Sequence, residues 1–69
     1  MYYIINRETD KLELYFSKEE YQAMPDETKS TIRSNFLFSR RGGCWVSRAK
    51  RPHLSYVERI AKDLGAEYQ

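Results

Sequence analysis

Positively charged side chains dominate the middle of this chain, and their types and spacing suit the binding of a polyanion. Between Glu27 and Glu58 lie thirty residues with seven bases and no acid, whereas residues 1–27 hold seven acids against three bases. The formal net charge of +2 therefore conceals a basic centre beside an acidic N-terminal segment. Cations interleaved with aromatic residues are typical of surfaces that bind phosphate-bearing polymers or acidic proteins. The seven bases are Lys29, Arg33, Arg40, Arg41, Arg48, Lys50 and Arg51.

Side chains that often carry catalysis are present, but their neighbours in the sequence do not support an enzyme. His53 is the only histidine, and neither a nucleophile nor an orienting acid is identifiable near it. Cys44 has arginines nearby that could lower its pKa, although a small sheet residue is the favoured interpretation. Neither a phosphate-binding glycine loop nor a metal-ligand spacing occurs. We therefore predict a non-enzymatic protein with no cofactor and no metal.

A basic hairpin and the connector after it are expected to form the contact surface. Residues 36–39 and 44–48 flank two glycines, which accept positive φ and favour a hairpin turn. If Gly42-Gly43 is that turn, Arg40 faces Trp45, and arginines at the tip of a ribbon can contact phosphates. The competing interpretation is a solvated strand edge on which cations only discourage aggregation. The predicted binding residues are Arg33, Arg40, Arg41, Arg48, Lys50, Arg51 and His53.

The elements that must position these residues follow from local patterns. Residues 2–6 and the alternating residues 11–16 predict a hairpin. Ser17 and Glu20 form a capping box that begins a helix, Pro25 ends that helix, and Asp26 is expected to cap a second one. A last helix is predicted from Pro52 or Ser55 to Leu64. The order ββ-αα-ββ-α predicts an α+β fold, one small domain over residues 1–69, with an antiparallel sheet and the helices on one face.

The aromatic residues are expected to be divided between the core and a surface. Phe36, Phe38 and Trp45 could stack nucleobases, but so small a domain needs its large apolar groups inside, so the core is the favoured interpretation for all three. The six tyrosines cannot all be buried in such a core. An exposed sheet face that carries tyrosines would suit a partner or a second copy of the chain, and homodimerisation is left open.

The cysteine content and the N-terminus predict a cytoplasmic protein without a membrane partner. Cys44 is the only cysteine, which excludes an internal disulfide and suits a reducing compartment. The apolar run that follows Met1 is too short for a signal peptide or a membrane span.

Residues 36–64 resemble a small uncharacterised module found in large proteins of plasmids, phages and integrative conjugative elements. In that module an aromatic, one residue, a second aromatic, a serine and often an arginine precede a tryptophan and a helix with Glu-Arg. The present chain has phenylalanine at two positions where tryptophan is common there, and a cysteine before its own tryptophan. The resemblance implies a mobile genetic element, a bacterial host cytoplasm and proximity to nucleic-acid machinery, but no catalytic residue. The matching residues are Phe36, Leu37, Phe38, Ser39, Arg40, Trp45, Glu58 and Arg59.

Three functions follow from these observations. The first is a binding module that contacts nucleic acid or a nucleoprotein complex through the basic hairpin and connector. The second, by analogy of size and context with anti-CRISPR proteins, is a protein inhibitor of a host defence nuclease that binds its RNA-loaded complex. The third is a dimerisation or accessory subunit.

Overall fold

Five strands and three helices follow one another in the computed structural model, which describes residues 1–69. None of the helices has the length and apolar composition needed to cross a membrane. The elements are β1 Tyr2–Asn6, β2 Lys11–Tyr15, α1 Lys18–Ala23, α2 Asp26–Asn35, β3 Phe36–Ser39, β4 Cys44–Ser47, α3 Ser55–Asp63 and β5 Glu67–Tyr68.

The N-terminal hairpin forms as its alternating pattern predicts. Tyr3 pairs with Leu14 across β1 and β2. The apolar side chains of the two strands that lie on the same face as this pair pack in the core, beneath the helices. The side chain of Asn6 stabilises the connecting turn, since its Oδ1 accepts the amide hydrogens of Glu8 and Thr9 at 2.9 and 3.4 Å. Such side-chain bonds to the backbone two or three residues later are the reason that asparagine favours turns.

The start of α1 is confirmed in detail. The Glu20 amide donates to Ser17 Oγ and the Ser17 amide donates to Glu20 Oε1, both at 3.0 Å, which completes the capping box. For α2 the predicted cap is wrong by one residue. Pro25 occupies the N-cap position, and Asp26 begins the helix, where its charge favours the helix dipole.

The sheet is mixed, which corrects the prediction of an antiparallel sheet. Its strand order is β3-β4-β2-β1-β5, and the two-residue β5 pairs with β1 in parallel. Gly65, at φ 91°, ends the last helix and redirects the chain toward β1. A strand of two residues has too little alternation to be recognised in the sequence, and its partner lies more than sixty positions away.

The turn between β3 and β4 contains four residues, not two. Ser39 pairs with Cys44, so residues 40–43 form the turn, and the Gly43 amide donates to the Ser39 carbonyl at 2.8 Å. Gly43 has a φ of 65°, which favours glycine. Trp45 therefore pairs with Phe38, two residues before the predicted partner. Because side chains alternate with a period of two, this shift leaves every strand residue on its predicted face.

All the helices pack on one face of the sheet, as predicted. The core lies between them and the inward-facing side chains of β1, β2 and β3. Its fully or nearly fully buried members are Tyr3, Leu12, Leu14, Ile32, Phe36, Leu54, Val57, Ala61 and Ala66.

Candidate nucleic-acid interface

Four aromatic side chains surround a cavity at the end of the sheet that carries the β3–β4 turn. Phe38 and Trp45 face each other across β3 and β4, while Phe16 follows β2 and Tyr21 lies on α1. The cavity has a volume of about 350 Å³, and Ser17, Lys18 and Gly43 complete its lining. We call these four rings and the space between them the aromatic cavity.

Three of the rings are almost parallel. The centroids of Phe16, Tyr21 and Trp45 are 5.5–6.2 Å apart, with interplanar angles of 12–24°. If the three rings formed a single stack, the first and third centroids would be about twice as far apart as neighbouring centroids. The three centroid distances are instead similar, so the centroids form a triangle and the rings are offset from one another. Phe38 stands at 62° to Trp45, with its centroid 5.4 Å away, and forms a wall. An offset or edge-on geometry is the one that aromatic pairs prefer.

The helices leave this end of the sheet uncovered. Phe36 follows α2 directly and is 1% exposed, whereas Phe38, two residues nearer the turn, is 53% exposed. The six-residue α1 buries no side chain completely and does not close the gap. The core prediction is therefore confirmed for Phe36 and wrong for Phe38, while Trp45 is half-buried against the core.

Cations lie beside the aromatic cavity, on α2 and in the turn that follows β3. Arg33 Nη1 donates to the Tyr21 hydroxyl at 2.8 Å, and Lys29 Nζ lies 5.5 Å from the centroid of the same ring. These two residues are four apart on α2 and so share one side of the helix. Arg40 and Arg41 lie in the turn directly before the glycines, of which Gly43 lines the cavity. The result is an apolar recess with positive charge on its rim.

The predicted binding residues are all exposed, but they form two groups rather than one surface. Arg40 and Arg41 precede β4 and the connector follows it, so the two groups lie at opposite ends of that strand. Arg33 contacts both groups, because its side chain reaches the cavity through Tyr21 while its carbonyl accepts from Arg48 of the connector. The group at the other end consists of Arg48, Lys50, Arg51 and His53.

The connector is held against its own protein. The Arg51 amide donates to the Asp10 carbonyl at 2.9 Å, and Arg51 Nε lies 3.8 Å from Asp10 Oδ1. Arg48 Nη2 donates to the Arg33 carbonyl at 3.1 Å. Of the seven bases in the acid-free segment, only Arg51 has a carboxylate within 4 Å. The charge of the other six is not neutralised within the chain.

The buried cysteine has a thiol that resists ionisation. Cys44 is 3% exposed, and burial raises the pKa of its thiol. The arginines next to it in sequence are exposed and do not lower this pKa as the sequence suggested. No group of three or more His, Cys, Asp or Glu side chains is placed to hold a metal ion.

The sheet face opposite the helices is open. Ile4, Glu13, Val46 and Leu37 form one row across four strands, and Leu37 is 52% exposed. In the next row Tyr2 and Tyr15 stack at 4.7 Å with an angle of 7°. Both oxygens of Glu13 are engaged, since they accept from the Tyr15 hydroxyl at 2.8 Å and from Asn6 Nδ2 at 3.1 Å. We call this surface the open face.

Comparison with known proteins adds no relative. No protein-family model matches the chain, and neither the curated proteins nor the solved structures yield a match. The site must therefore be interpreted from its own geometry. Sequence reasoning did not identify Phe16 and Tyr21 as site residues, because no signal in the sequence places this pair beside Trp45.

Proposed function

We propose that this protein is a non-enzymatic module that binds nucleic acid, alone or within a nucleoprotein complex, through Arg40, Arg41 and the cations beside the aromatic cavity. One observation carries the proposal: six of the seven central bases have no carboxylate partner within the chain. Cations of this kind are free to replace the counterions of a phosphate backbone. The resemblance of residues 36–64 to a module of plasmid and phage proteins supports a role in the cytoplasm of a bacterial host.

The β3–β4 turn holds its arginines on a defined backbone. The Gly43 amide is bonded to the Ser39 carbonyl, and the Gly42 amide donates to Ser39 Oγ at 3.2 Å. Such a turn loses less conformational freedom on binding than a flexible loop would.

The turn and the connector are separated by the length of β4, and a four-residue strand is roughly 13 Å long. One polyanion therefore contacts both this turn and the connector only if it runs along the hairpin.

The double variant Arg40→Glu/Arg41→Glu is expected to bind a labelled single-stranded oligonucleotide about tenfold more weakly at low salt. Loss of two phosphate contacts should also reduce the slope of log K against log salt by about 1.4 for a single strand. Fluorescence anisotropy at several salt concentrations measures both quantities.

The matched control is Arg59→Glu/Lys62→Glu, which changes the net charge equally on the exposed side of α3. It should bind more strongly than the turn variant at every salt concentration. Equal weakening of the two variants would mean that only the net charge matters. Unchanged binding of the turn variant would place the contact elsewhere.

A second candidate function is the inhibition of a host defence nuclease through the open face. Exposed Leu37 and its neighbour Val46 give that face an apolar patch, bordered by Glu13, that would suit the apolar surface of a protein partner. In this case Leu37→Asp should abolish capture of one nuclease from nuclease-treated host lysate, whereas Arg40→Glu/Arg41→Glu should retain it. A stable dimer in light scattering, lost in Leu37→Asp, would instead favour the dimerisation subunit.

A further inference from the structure

We infer that the aromatic cavity receives one unpaired base of a single-stranded nucleic acid, while the arginines of the β3–β4 turn contact the adjacent phosphates. This inference rests on the proposed function and names its substrate class. It assigns a role to the exposed ring of Phe38 and to the three half-buried rings beside it, which phosphate binding by the basic residues does not require.

The size and lining of the cavity suit a small planar group. A volume of about 350 Å³ lies at the lower end of the range of about 300–1,000 Å³ for ligand cavities. Four of its seven lining residues are aromatic and none is acidic. Glu19 and Glu20 lie in sequence between the lining residues Lys18 and Tyr21, but neither lines the cavity, and the Glu20 carboxylate accepts from the Ser17 amide and lies 3.8 Å from the N-terminal ammonium group.

The ring geometry suits stacking rather than enclosure of an aliphatic chain. Three nearly parallel rings offer a common direction along which a further flat ring can stack, and Phe38 adds a wall that is half open to solvent. In single-strand binding proteins a stacked base contributes to affinity largely independently of its identity. We therefore expect weak base preference.

The charge around the rings selects an anionic ligand. Tyr21 is held by Arg33 at its hydroxyl and by Lys29 at its face, and Lys18 lies in the lining itself. A ligand that is both aromatic and anionic can contact the aromatic lining and the neighbouring cations at the same time. A nucleotide combines an aromatic base with an anionic phosphate. The faces of a base in a duplex are covered by its neighbours, so only an unstacked base can enter.

Trp45 makes the inference directly measurable. It is the only tryptophan of the chain and one of the four rings, so in the folded protein its fluorescence responds to a ligand in the aromatic cavity. A twelve-nucleotide thymidine oligomer should quench this fluorescence with saturation. A duplex of mixed sequence and equal length should bind by anisotropy at low salt without comparable quenching.

A matched pair of neighbouring variants separates the cavity from the rest of the surface. Phe38→Ala should weaken binding of the thymidine oligomer about tenfold, and Phe38→Tyr, which keeps a ring, should restore it. Leu37→Ala should bind as the parent does, since Leu37 is exposed to the same degree on the same strand but points to the open face. Circular dichroism establishes that each variant is folded.

Three outcomes would overturn the inference while the proposed function stands. The first is unaltered binding of the thymidine oligomer by Phe38→Ala, and the second is an equal loss of affinity in Phe38→Ala and Leu37→Ala. The third is unchanged Trp45 emission at saturating oligomer while anisotropy reports binding. If the parent protein shows no binding by anisotropy even at low salt, the proposed binding of free nucleic acid fails as well.

Discussion

Truncation of Leu14 to alanine is expected to remove about 2–5 kcal/mol of folding free energy, as for other fully buried leucines. A chain of this length has a total stability of roughly 3–10 kcal/mol. Leu14 is fully buried on β2, the central strand, where it pairs with Tyr3 on one side and Trp45 on the other. The cavity left by its side chain cannot be filled without moving both rings. We therefore expect much of the Leu14→Ala population to be unfolded or molten at 37 °C.

Urea denaturation followed by Trp45 fluorescence measures this loss. Leu37→Ala is the control, because its side chain is 52% exposed and its removal should change stability by about 0.5 kcal/mol or less. Losses of similar size in the two variants would contradict the assignment of the core to the helix-covered face.

Alkaline pH is expected to destabilise the protein through Tyr3. This side chain is fully buried, and its hydroxyl donates to Glu58 Oε2 at 2.7 Å. Burial and the neighbouring carboxylate raise the pKa of Tyr3 to about 12, from an ordinary value of 10.0. Because the folded state favours the neutral phenol, its contribution to stability is complete below pH 10 and is lost as the pH rises through 12. At about 1.36 kcal/mol per pKa unit, the loss is on the order of 3 kcal/mol.

Tyr3→Phe should flatten the fall in stability between pH 10 and 12, at a cost of about 1 kcal/mol near pH 7 for the lost hydrogen bond. Part of the slope should remain, because the bond to Glu13, together with burial, raises the pKa of Tyr15 as well. Tyr56→Phe is the control, since Tyr56 is 66% exposed and should leave the pH profile unchanged. Stability is measured by urea denaturation at each pH. A Tyr3→Phe profile as steep as that of the parent would contradict this account.

The basic centre of the chain illustrates how far sequence reasoning reaches at the site. The composition identified Arg40, Arg41 and Arg33 as exposed bases, and the structure brings Arg33 to the cavity through Tyr21 and places the other two in the turn whose Gly43 lines it. The order of the chain already implied that Arg48, Lys50 and Arg51, which follow the second strand, lie away from the turn. Only the structure shows that Arg33 links the cavity to the connector, because its contacts with Tyr21 and Arg48 join residues twelve and fifteen positions apart.

The sequence by itself determined the local structure of this protein: the alternation of β1 and β2, the capping box at Ser17, the last helix and the segregation of charge. These features depend on residues a few positions apart, whose periodicity and hydrogen bonds are encoded locally. Only the tertiary structure decided that β5 pairs with β1 in parallel, that Phe38 is exposed, and that Phe16 and Tyr21 meet Trp45. Each of these depends on strand order and on how far the helices extend over the sheet, and both are set by the packing of the whole core.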